Sequence, residues 1–303
     1  MSSALSTILK RIFPSAVIER MLEARRPFRR AEYRLRRTSG RISTVTKTDL
    51  IDGFRSLGIR YGDVVMIHSS LRKMGHVDGG ANAVVDALIA AIGPEGTLIV
   101  PTLPFGGGMY TYFRTYDNDH PFDVLETPSR MGRITELVRR MPGALRSAHP
   151  SHSVAAVGPQ AEYLTRDHHR DKYSFGKLSP YYRLCELGGK IIMLGVDLTH
   201  MTAARVIEDI IDDFPVPVHM PDPAVVEVIM PDGKRQSVTC LVQNPETSLI
   251  RDNNKVEPYF VEYGILKDIE IGDGRVMVID AGRLLPTMQA LLDRGITIYT
   301  PRH

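Results

Sequence analysis

The sequence predicts an α/β fold in which helices flank a central, mostly parallel sheet and a smaller β-rich insertion follows. Three observations support this class. Short apolar runs typical of buried strands alternate with segments whose apolar residues recur at helical spacing. Glycine and proline stand at many of the boundaries between these segments. After Phe214 the pattern changes to short strand-like segments separated by turn residues, which is typical of an antiparallel hairpin.

The first half of this pattern begins as a strand-helix-strand unit. Its predicted elements are a helix over 48–57, a strand over 64–67, a helix over 84–92, a strand over 97–100, a helix capped by Ser129 that runs through Val138, and a strand over 153–157. Gly93-Pro94 ends the second helix. A long loop from Phe105 to about Thr127 interrupts the pattern, and loops of this length often line binding sites.

The second half contains the hairpin and then returns to the main sheet. Its predicted elements are a helix over 180–187, a strand over 190–196, a helix over 202–212, hairpin strands over 225–230 and 237–242, a strand over 276–279 and a helix over 284–292. We therefore expect one domain over residues 48–303, with a β-rich insertion around 214–262.

Composition indicates a globular protein without a disulfide framework. The chain has 303 residues, 43% of them hydrophobic and 24% charged, which is enough to form a substantial core. Cys185 and Cys240 lie far apart, so we expect two buried, reduced cysteines and a cytoplasmic location. The sequence contains neither an apolar run long enough to span a membrane nor a secretory signal.

Positive charge is concentrated in the first 47 residues. This segment carries twelve Lys and Arg residues against three Glu, and because the whole chain has a net charge of +3, the remainder is acidic. Its apolar residues predict two short amphipathic helices. We expect residues 1–47 to form a basic helical extension that packs on the core or on a second subunit; contact with an anionic membrane surface is the alternative.

Common cofactor fingerprints are absent from the sequence, which has no Walker P-loop, no HExxH, no GxSxG and no GxGxxG after a strand. Gly106-Gly107-Gly108 does not open a helix, and we interpret it as a loop. No basic pattern indicates a nucleic-acid partner.

Five other segments carry a specific pattern. They are Val65 to Leu71 (VMIHSSL), Thr127 to Gly132 (TPSRMG), Arg146 to Gly158 (RSAHPSHSVAAVG), Phe175 to Pro180 (FGKLSP) and Gly189 to Val196 (GKIIMLGV). In this order and spacing, the chain from about Thr48 onward resembles the aminoglycoside 3-N-acetyltransferase family. The resemblance implies acetyl transfer from acetyl-CoA to an amino group of an aminoglycoside or amino sugar, directly and without a metal.

The resemblance also implies a cofactor site at the end of the first strand. Ser69, Ser70 and Leu71 follow that strand, and ligands of α/β proteins bind at such strand ends. Ser129 and Arg130 are expected at a helix N-terminus, where N–H groups and a cation receive a phosphate; simple capping is the alternative for Ser129. We add Thr102 to the cofactor residues.

Acetyl transfer to an amine also requires a base. The family motif Asn/Asp-Thr-x-x-His-x-x-Glu falls on Met201 to Glu208, but Arg205 stands in place of the histidine, and arginine cannot act as a base at neutral pH. We therefore assign catalytic roles to His149, His200 and Glu208. A core or exposed position without a catalytic role is the alternative for both histidines.

Carboxylates of the same region are candidates for substrate binding. Glu208, Asp209, Asp212 and Asp213 are expected on one side of a helix, where they would attract a polyamine or form a solvated face. We assign Asp209, Asp212 and Asp123 to the substrate. Because Arg205 replaces the histidine, the alternative function is a catalytically impaired family member that binds CoA or a sugar, or acts as a scaffold.

Overall fold

The structure, a computed structural model, describes residues 42–299, and the elements named below lie in that range. Its strands are β1 (Thr44–Val45), β2 (Val64–Ser69), β3 (His76–Val77), β4 (Thr97–Pro101), β5 (Phe122–Asp123), β6 (Leu145–Arg146), β7 (Val154–Val157), β8 (Lys190–Leu194), β9 (Ala224–Ile229), β10 (Arg235–Cys240), β11 (Leu266–Ile271) and β12 (Gly274–Asp280). Nearly all of the predicted basic extension lies outside the described residues, and that extension stays a prediction.

Ten α-helices lie between and after these strands in the described part of the chain. They are α1 (Lys47–Ser56), α2 (Gly80–Ile92), α3 (Met109–Arg114), α4 (Arg133–Arg139), α5 (Ala161–Thr165), α6 (Pro180–Glu186), α7 (Val206–Ile210), α8 (Pro245–Ile250), α9 (Glu257–Glu262) and α10 (Leu284–Asp293). The start of a helix is explained by its apolar spacing and by the residue that caps its N-terminus. At α1, for example, the Thr46 hydroxyl accepts a hydrogen bond from Asp49 N and the Asp49 carboxylate accepts one from Thr46 N, which forms a capping box.

The central sheet has seven strands in the order β11-β12-β8-β2-β4-β7-β6, which confirms the α/β class. It is mixed, so the prediction of a mostly parallel sheet is wrong in this respect. Parallel pairing joins β2 to β4 and to β8, whereas the other pairs of this sheet are antiparallel. The physical reason is visible at β11 and β12: two residues connect them, and a turn this short can join only antiparallel strands.

The core lies in two layers, one on each face of the sheet. Successive side chains of a strand point to opposite faces, so Val65 and Ile67 of β2 pack with α1 and α2, while Val64 and Met66 pack with α6 and α10. Both faces are covered by apolar side chains. The strand sequence is therefore an almost uninterrupted apolar run, as the pattern predicted.

The predicted antiparallel hairpin is confirmed. β9 and β10 pair from Ala224 with Cys240 to Ile229 with Arg235, and β5 adds a short parallel strand. Gly233 occupies the turn with φ of 80°, a left-handed conformation that favours glycine. Within the predicted insertion, strands are confined to 224–240, because α8 and α9 occupy much of 245–262.

Two predicted helices differ from the structure. The helix expected from Ser129 begins at Arg133, after Gly132, whose φ of 123° interrupts the helical path. The helix expected over 202–212 is a 3-10 turn at Thr202–Arg205 followed by α7, and the backbone is extended at Ile211. No helix in residues 42–299 has both the length and the apolar content needed to span a membrane.

Candidate active site

Polar segments from different parts of the chain meet at one edge of the central sheet. Because β2, β4 and β8 are parallel, their carboxyl ends lie at the same edge, and the antiparallel β7 starts there. The segments at this edge are His68 to Leu71, Thr102, His149 to Ser153, and Gly195 to Glu208. Ligands of open α/β sheets bind at such an edge, so it is the candidate site.

The serines predicted to bind the cofactor lie at the end of β2. Ser69 and Ser70 are partly buried, and Ser70 N donates to Leu194 O at 2.8 Å. Gly195 has φ of 65°, and a Cβ atom there would lie 2.9 Å from Ser70 O, so the two strand ends approach closely only because residue 195 is glycine. Leu71 begins a short 3-10 turn, and its side chain is also partly buried.

Thr102, also predicted to bind the cofactor, is fully buried and belongs to an arginine clamp. Arg146 Nε donates to Thr102 Oγ1 at 3.1 Å, and Arg146 Nη2 donates to Thr102 O at 2.6 Å. The same guanidinium reaches the carbonyl oxygens of Val124 and Thr127 and lies over the Phe122 ring at 4.7 Å. Arg146 therefore ties the segment that leads to Ser129 to the end of β4.

Ser129 and Arg130 lie in the turn before α4, so the predicted helix cap at Ser129 is wrong. The Ser129 hydroxyl is 2.8 Å from Thr135 Oγ1, and Arg130 N donates to Leu103 O at 2.9 Å. The Ser129 backbone N–H donates to Glu136 Oε2 at 3.0 Å, so the backbone N–H groups of both residues are engaged within the protein. The Arg130 side chain is exposed and projects from a segment that Arg146 holds in place.

His149, a predicted catalytic residue, lies in the interior. Its Nδ1 is 3.0 Å from Ser151 Oγ, its Nε2 is 3.7 Å from Cys240 Sγ, and its ring stacks on His168 with centroids 4.5 Å apart. Burial lowers the pKa of His149 to about 3, so the ring is neutral at pH 7. Both cysteines are free and buried, as expected.

His152 was not singled out by its pattern, although it lies in the Arg146 to Gly158 segment. Its Nδ1 is 3.1 Å from Ser151 Oγ, and its ring packs on Phe175 with centroids 4.7 Å apart and on the edge of Phe105 at 6.0 Å. Burial, aided by the charge of Arg205, lowers the pKa of His152 well below its usual value. A second neutral imidazole thus lies close to the candidate site.

His68, the penultimate residue of β2, is a further neutral histidine at this edge. Its Nε2 lies 3.5 Å from Thr202 Oγ1, which connects the end of β2 to the segment that carries the altered motif. Burial, with a smaller contribution from His200, lowers the pKa of His68 to about 3. His68 belongs to the VMIHSSL segment, but only the folded structure shows that it lies beside Thr202.

Arg205, in the position of the motif histidine, is 4% exposed and forms an ion pair with Glu208. Arg205 Nε and Nη2 donate to Glu208 Oε2 at 3.1 and 2.9 Å, and the Tyr299 hydroxyl donates to Glu208 Oε1 at 2.7 Å. The guanidinium lies 4.6 Å above the Phe175 ring. Burial alone would lower the pKa of Arg205, but the Glu208 carboxylate raises it above its usual value. Both oxygens of Glu208 are therefore occupied.

The four carboxylates predicted on one helix face do not share a face, so that prediction is wrong. α7 ends at Ile210; Asp212 and Asp213 lie beyond it and are exposed. Asp209 is buried, where Oδ2 accepts from Phe175 N at 2.9 Å and Oδ1 lies 3.1 Å from His219 Nε2. Glu208 therefore uses both of its oxygens, whereas Asp209 Oδ1, although close to His219, accepts no hydrogen bond among the described residues.

The remaining predicted residues lie at the surface or in a turn. His200 has 62% of its side chain exposed, and its Nδ1 lies 3.4 Å from Asp197. The Asp123 carboxylate accepts hydrogen bonds from Leu125 N and Glu126 N, both at 2.8 Å, and so closes a turn. In the described part of the chain, no cluster of three or more His, Cys, Asp or Glu side chains is arranged to hold a metal ion.

The protein has an α/β sheet with a polar site at the carboxyl ends of its parallel strands. Serines, neutral histidines and a buried arginine meet at this site. Comparison with known proteins identifies the family. The chain matches the model of the family described as aminoglycoside 3-N-acetyltransferase over residues 66–293. The protein belongs to this family.

Individual relatives agree with this assignment. Aminoglycoside N(3)-acetyltransferase III of Acinetobacter baumannii is 37% identical over 176 residues, which are 55% of this chain and 61% of the relative. The match thus spans about three fifths of the relative's length. A crystal structure of aminoglycoside acetyltransferase AAC(3)-Xa superposes with a TM-score of 0.72 at 28% identity, covering 86% of this chain and 95% of that one. The structure of AAC-IIIb, binary with CoASH, is 24% identical with a TM-score of 0.70, covers 86% of this chain and all of that one, and shows the same fold.

Proposed function

We propose that this protein transfers an acetyl group from acetyl-CoA to a primary amine of an amino sugar or aminoglycoside. The observation that carries the proposal is the family match over 66–293, which includes all the strand ends that form the candidate site. Relatives in the family are named N-acetyltransferases, and acetyl transfer requires an activated donor such as acetyl-CoA. The small-molecule acceptor and the donor are both part of the proposal.

Ser69, Ser70 and Leu71 are proposed to hold the donor, with Arg130 at the phosphates. The end of a buried strand offers hydroxyl groups for the pantetheine arm, and the exposed Arg130 guanidinium is free to pair with a phosphate. Ser129 and Thr102 act indirectly, by holding this segment in position. Thr102 is fully buried beneath Arg146, and the Ser129 hydroxyl is engaged with Thr135, so both act by positioning the segment.

The base is proposed to be a neutral imidazole at the sheet edge. An imidazole base must be unprotonated before the reaction and must reach the attacking amine. His152 satisfies the first condition and lies between the Phe105 loop and the Phe175 ring, next to the altered motif. His68 lies beside Thr202. His149, with both ring nitrogens near side chains of the interior, is better placed to orient His152 through Ser151.

The experiment is thiol release from acetyl-CoA with a panel of amino sugars and aminoglycosides, with mass spectrometry of the product. Since general base catalysis contributes about a hundredfold or more, His152→Gln should lower kcat/KM by about that factor. His68→Gln and His200→Gln test the other candidates. His120→Gln is the matched control, because its side chain is 87% exposed. Full activity in the His152, His68 and His200 variants would contradict an imidazole base.

A second candidate function is supported by the Arg205–Glu208 ion pair. With Arg205 bound to Glu208, the motif position offers no group that can take a proton at neutral pH. The protein would then bind acetyl-CoA or a sugar without turnover, or act as a scaffold. Thiol release that appears only in Arg205→His would establish this function, whereas turnover by the native chain excludes it.

A further inference from the structure

Two buried histidines of the candidate site share one serine hydroxyl. Ser151 Oγ lies 3.0 Å from His149 Nδ1 and 3.1 Å from His152 Nδ1, and it also lies 3.0 Å from Ser174 Oγ. A hydroxyl has one proton, so Ser151 donates only one of these three hydrogen bonds. A neutral imidazole likewise carries its proton on one nitrogen. The positions of the protons in this network are therefore coupled.

The proton of His149 is assigned by a backbone group. Ser151 N can only donate, and it lies 3.4 Å from His149 Nδ1, so this nitrogen is an acceptor and carries no proton. Because burial keeps the ring neutral, its proton lies on Nε2, which is 3.7 Å from Cys240 Sγ. The 3.0 Å contact between Ser151 Oγ and His149 Nδ1 is then a hydrogen bond that the hydroxyl donates.

Ser151 Oγ is consequently an acceptor toward its other two neighbours. Its proton is used for His149, so Ser174 Oγ and His152 Nδ1 each donate to one of its two lone pairs. His152 Nδ1 therefore carries the proton of the neutral ring, and His152 Nε2 carries none. Within residues 42–299, His152 hydrogen-bonds through Nδ1, which leaves Nε2 for a substrate.

The neighbouring His168 has its proton assigned in the same way and supports this network. His168 Nε2 lies 3.1 Å from Ser174 O, a carbonyl oxygen that can only accept, so the proton is on Nε2. Ser147 Oγ, at 3.0 Å, donates to His168 Nδ1 and accepts from Val154 N at 3.0 Å. No two donors face each other, and His168 holds the backbone of the serine that donates to Ser151.

The other contacts of His152 fix its ring but not its proton. The ring lies against Phe175 with centroids 4.7 Å apart and against the edge of Phe105 at 6.0 Å. These aromatic contacts hold the imidazole in place and make no distinction between its two nitrogens. Ser151 is the described group that distinguishes them, because it hydrogen-bonds to one nitrogen only.

We infer that Ser151, oriented by His149, is a positioning residue that holds His152 in the tautomer whose Nε2 can accept a proton from the acceptor amine. This inference rests on the proposed function, in which His152 is a candidate base. As the neutral amine attacks the thioester carbon and the carbon–sulfur bond breaks, an N–H proton of the amine moves to Nε2 and then to the CoA thiolate. A ring protonated at Nε2 cannot accept that proton, which is why catalytic histidines have a group that fixes their tautomer.

Nuclear magnetic resonance of the histidine ring nitrogens tests the tautomer without turnover. In the full chain labelled at these nitrogens, protonated and unprotonated nitrogens have distinct chemical shifts, and His152→Gln identifies the signals of His152. We expect protonation at Nδ1 in the native chain and a shift toward Nε2 in Ser151→Ala. Ser237→Ala, at an exposed position, is the matched control and should leave the signals unchanged. Protonation at Nε2 in the native chain, or an unchanged tautomer in folded Ser151→Ala, would overturn the inference.

The kinetics of thiol release test the catalytic consequence. Ser151→Ala should lower kcat by about tenfold, since one hydrogen bond that selects the reactive tautomer is lost, and should leave the KM for acetyl-CoA nearly unchanged. Ser151→Thr keeps the hydroxyl and should restore most of the activity. Melting temperatures establish that the variants fold, and if Ser151→Ala does not, the tautomer of the native chain still decides. An unchanged kcat in folded Ser151→Ala would overturn the inference.

The two measurements separate this inference from the proposed function. If the tautomer depends on Ser151 as inferred but no amine releases CoA, the control of His152 by Ser151 stands and acetyl transfer fails. If His152→Gln loses activity while Ser151→Ala keeps both its kcat and its tautomer, acetyl transfer stands and the inference fails.

Discussion

Arg146 and Arg205 are both buried at the functional edge of the sheet, yet their charges are stabilised in different ways. Arg146 donates to uncharged oxygens, which include Thr102 O and Ser153 Oγ, and burial lowers its pKa to about 9. Arg205 forms an ion pair with Glu208, and the carboxylate raises its pKa. Each guanidinium lies over a phenylalanine ring, at 4.7 and 4.6 Å respectively.

This difference indicates different roles. The five donors of a guanidinium suit Arg146 to link several carbonyl groups, so it holds the end of β4 and the segment before Ser129 together. Arg205 neutralises Glu208 where the family motif has histidine. One arginine organises the chain, and the other sets the electrostatic balance of the candidate site.

The largest effect is expected at the ion pair. Glu208→Gln leaves Arg205 without its counter-charge and should lower the free energy of unfolding by about 3 to 5 kcal/mol, since an uncompensated buried charge is costly. Urea denaturation measures the change. Glu95→Gln, at an exposed position, is the control and should change stability by less than about 0.5 kcal/mol. A loss as small as that of the control would show that Arg205 does not depend on the carboxylate.

A smaller but still large effect is expected when the clamp is removed. Arg146→Met leaves several buried oxygens without a donor and should destabilise the protein by about 2 to 3 kcal/mol. Because Arg146 holds the segment that leads to Arg130, acetyl-CoA affinity should fall as well. Denaturation and calorimetry measure the two effects. Loss of stability with full acetyl-CoA affinity would separate the clamp from the cofactor site.

Acid should destabilise the protein through the buried, neutral His168, which contacts Ser147 next to Arg146. His168 lies 3.0 Å from Ser147 Oγ, and burial holds its pKa well below the usual value. Below pH 6.5 the unfolded chain binds a proton that folded His168 does not, so stability falls as the pH falls. Between pH 7.5 and 5 this histidine should contribute a loss of about 2 kcal/mol. His168→Asn should therefore show a shallower pH dependence in thermal denaturation, and an identical slope would contradict a neutral buried ring.

The smallest effect is expected from lysine substitutions, which distinguish the roles of Arg146 and Arg205. Lysine keeps the charge but cannot reproduce the fork of donors. Arg146→Lys should be more destabilising than Arg205→Lys by about 1 kcal/mol, because Arg146 serves acceptors on several segments and Arg205 serves one carboxylate oxygen. Urea denaturation of both variants measures the difference. Equal losses would indicate that charge, rather than the number of acceptors, decides both sites.

Much of the fold could be predicted because its signals are local. The apolar run at β2 and the turn at Gly233 depend on neighbouring residues, and the structure has both where they were expected. Strand direction has no local signal, so the sequence pattern did not predict that the sheet is mixed. The early stop of α7 is also a tertiary effect, since Ile211 continues in extended conformation although its sequence has helical spacing.

The candidate site was predicted in part for the same reason. Segments with a recognisable order, such as the one that ends in Ser69-Ser70, lie at the sheet edge as expected. The contact between Glu208 and Tyr299 could not be foreseen, because Tyr299 comes from a distant part of the chain and belongs to no motif. The acidic face failed as a prediction because α7 ends at Ile210, before Asp212 and Asp213, and because helical spacing does not show that Glu208 and Asp209 are buried.

The sequence by itself determined the α/β class, the family resemblance and the replacement of the motif histidine by Arg205, since these depend on residue types and their spacing. Only the tertiary structure decided which histidines are neutral and which carboxylates are paired. The physical reason is that pKa values and ion pairs depend on burial and on neighbours in space. For Arg205, those neighbours are Glu208, Phe175 and the residues around Tyr299.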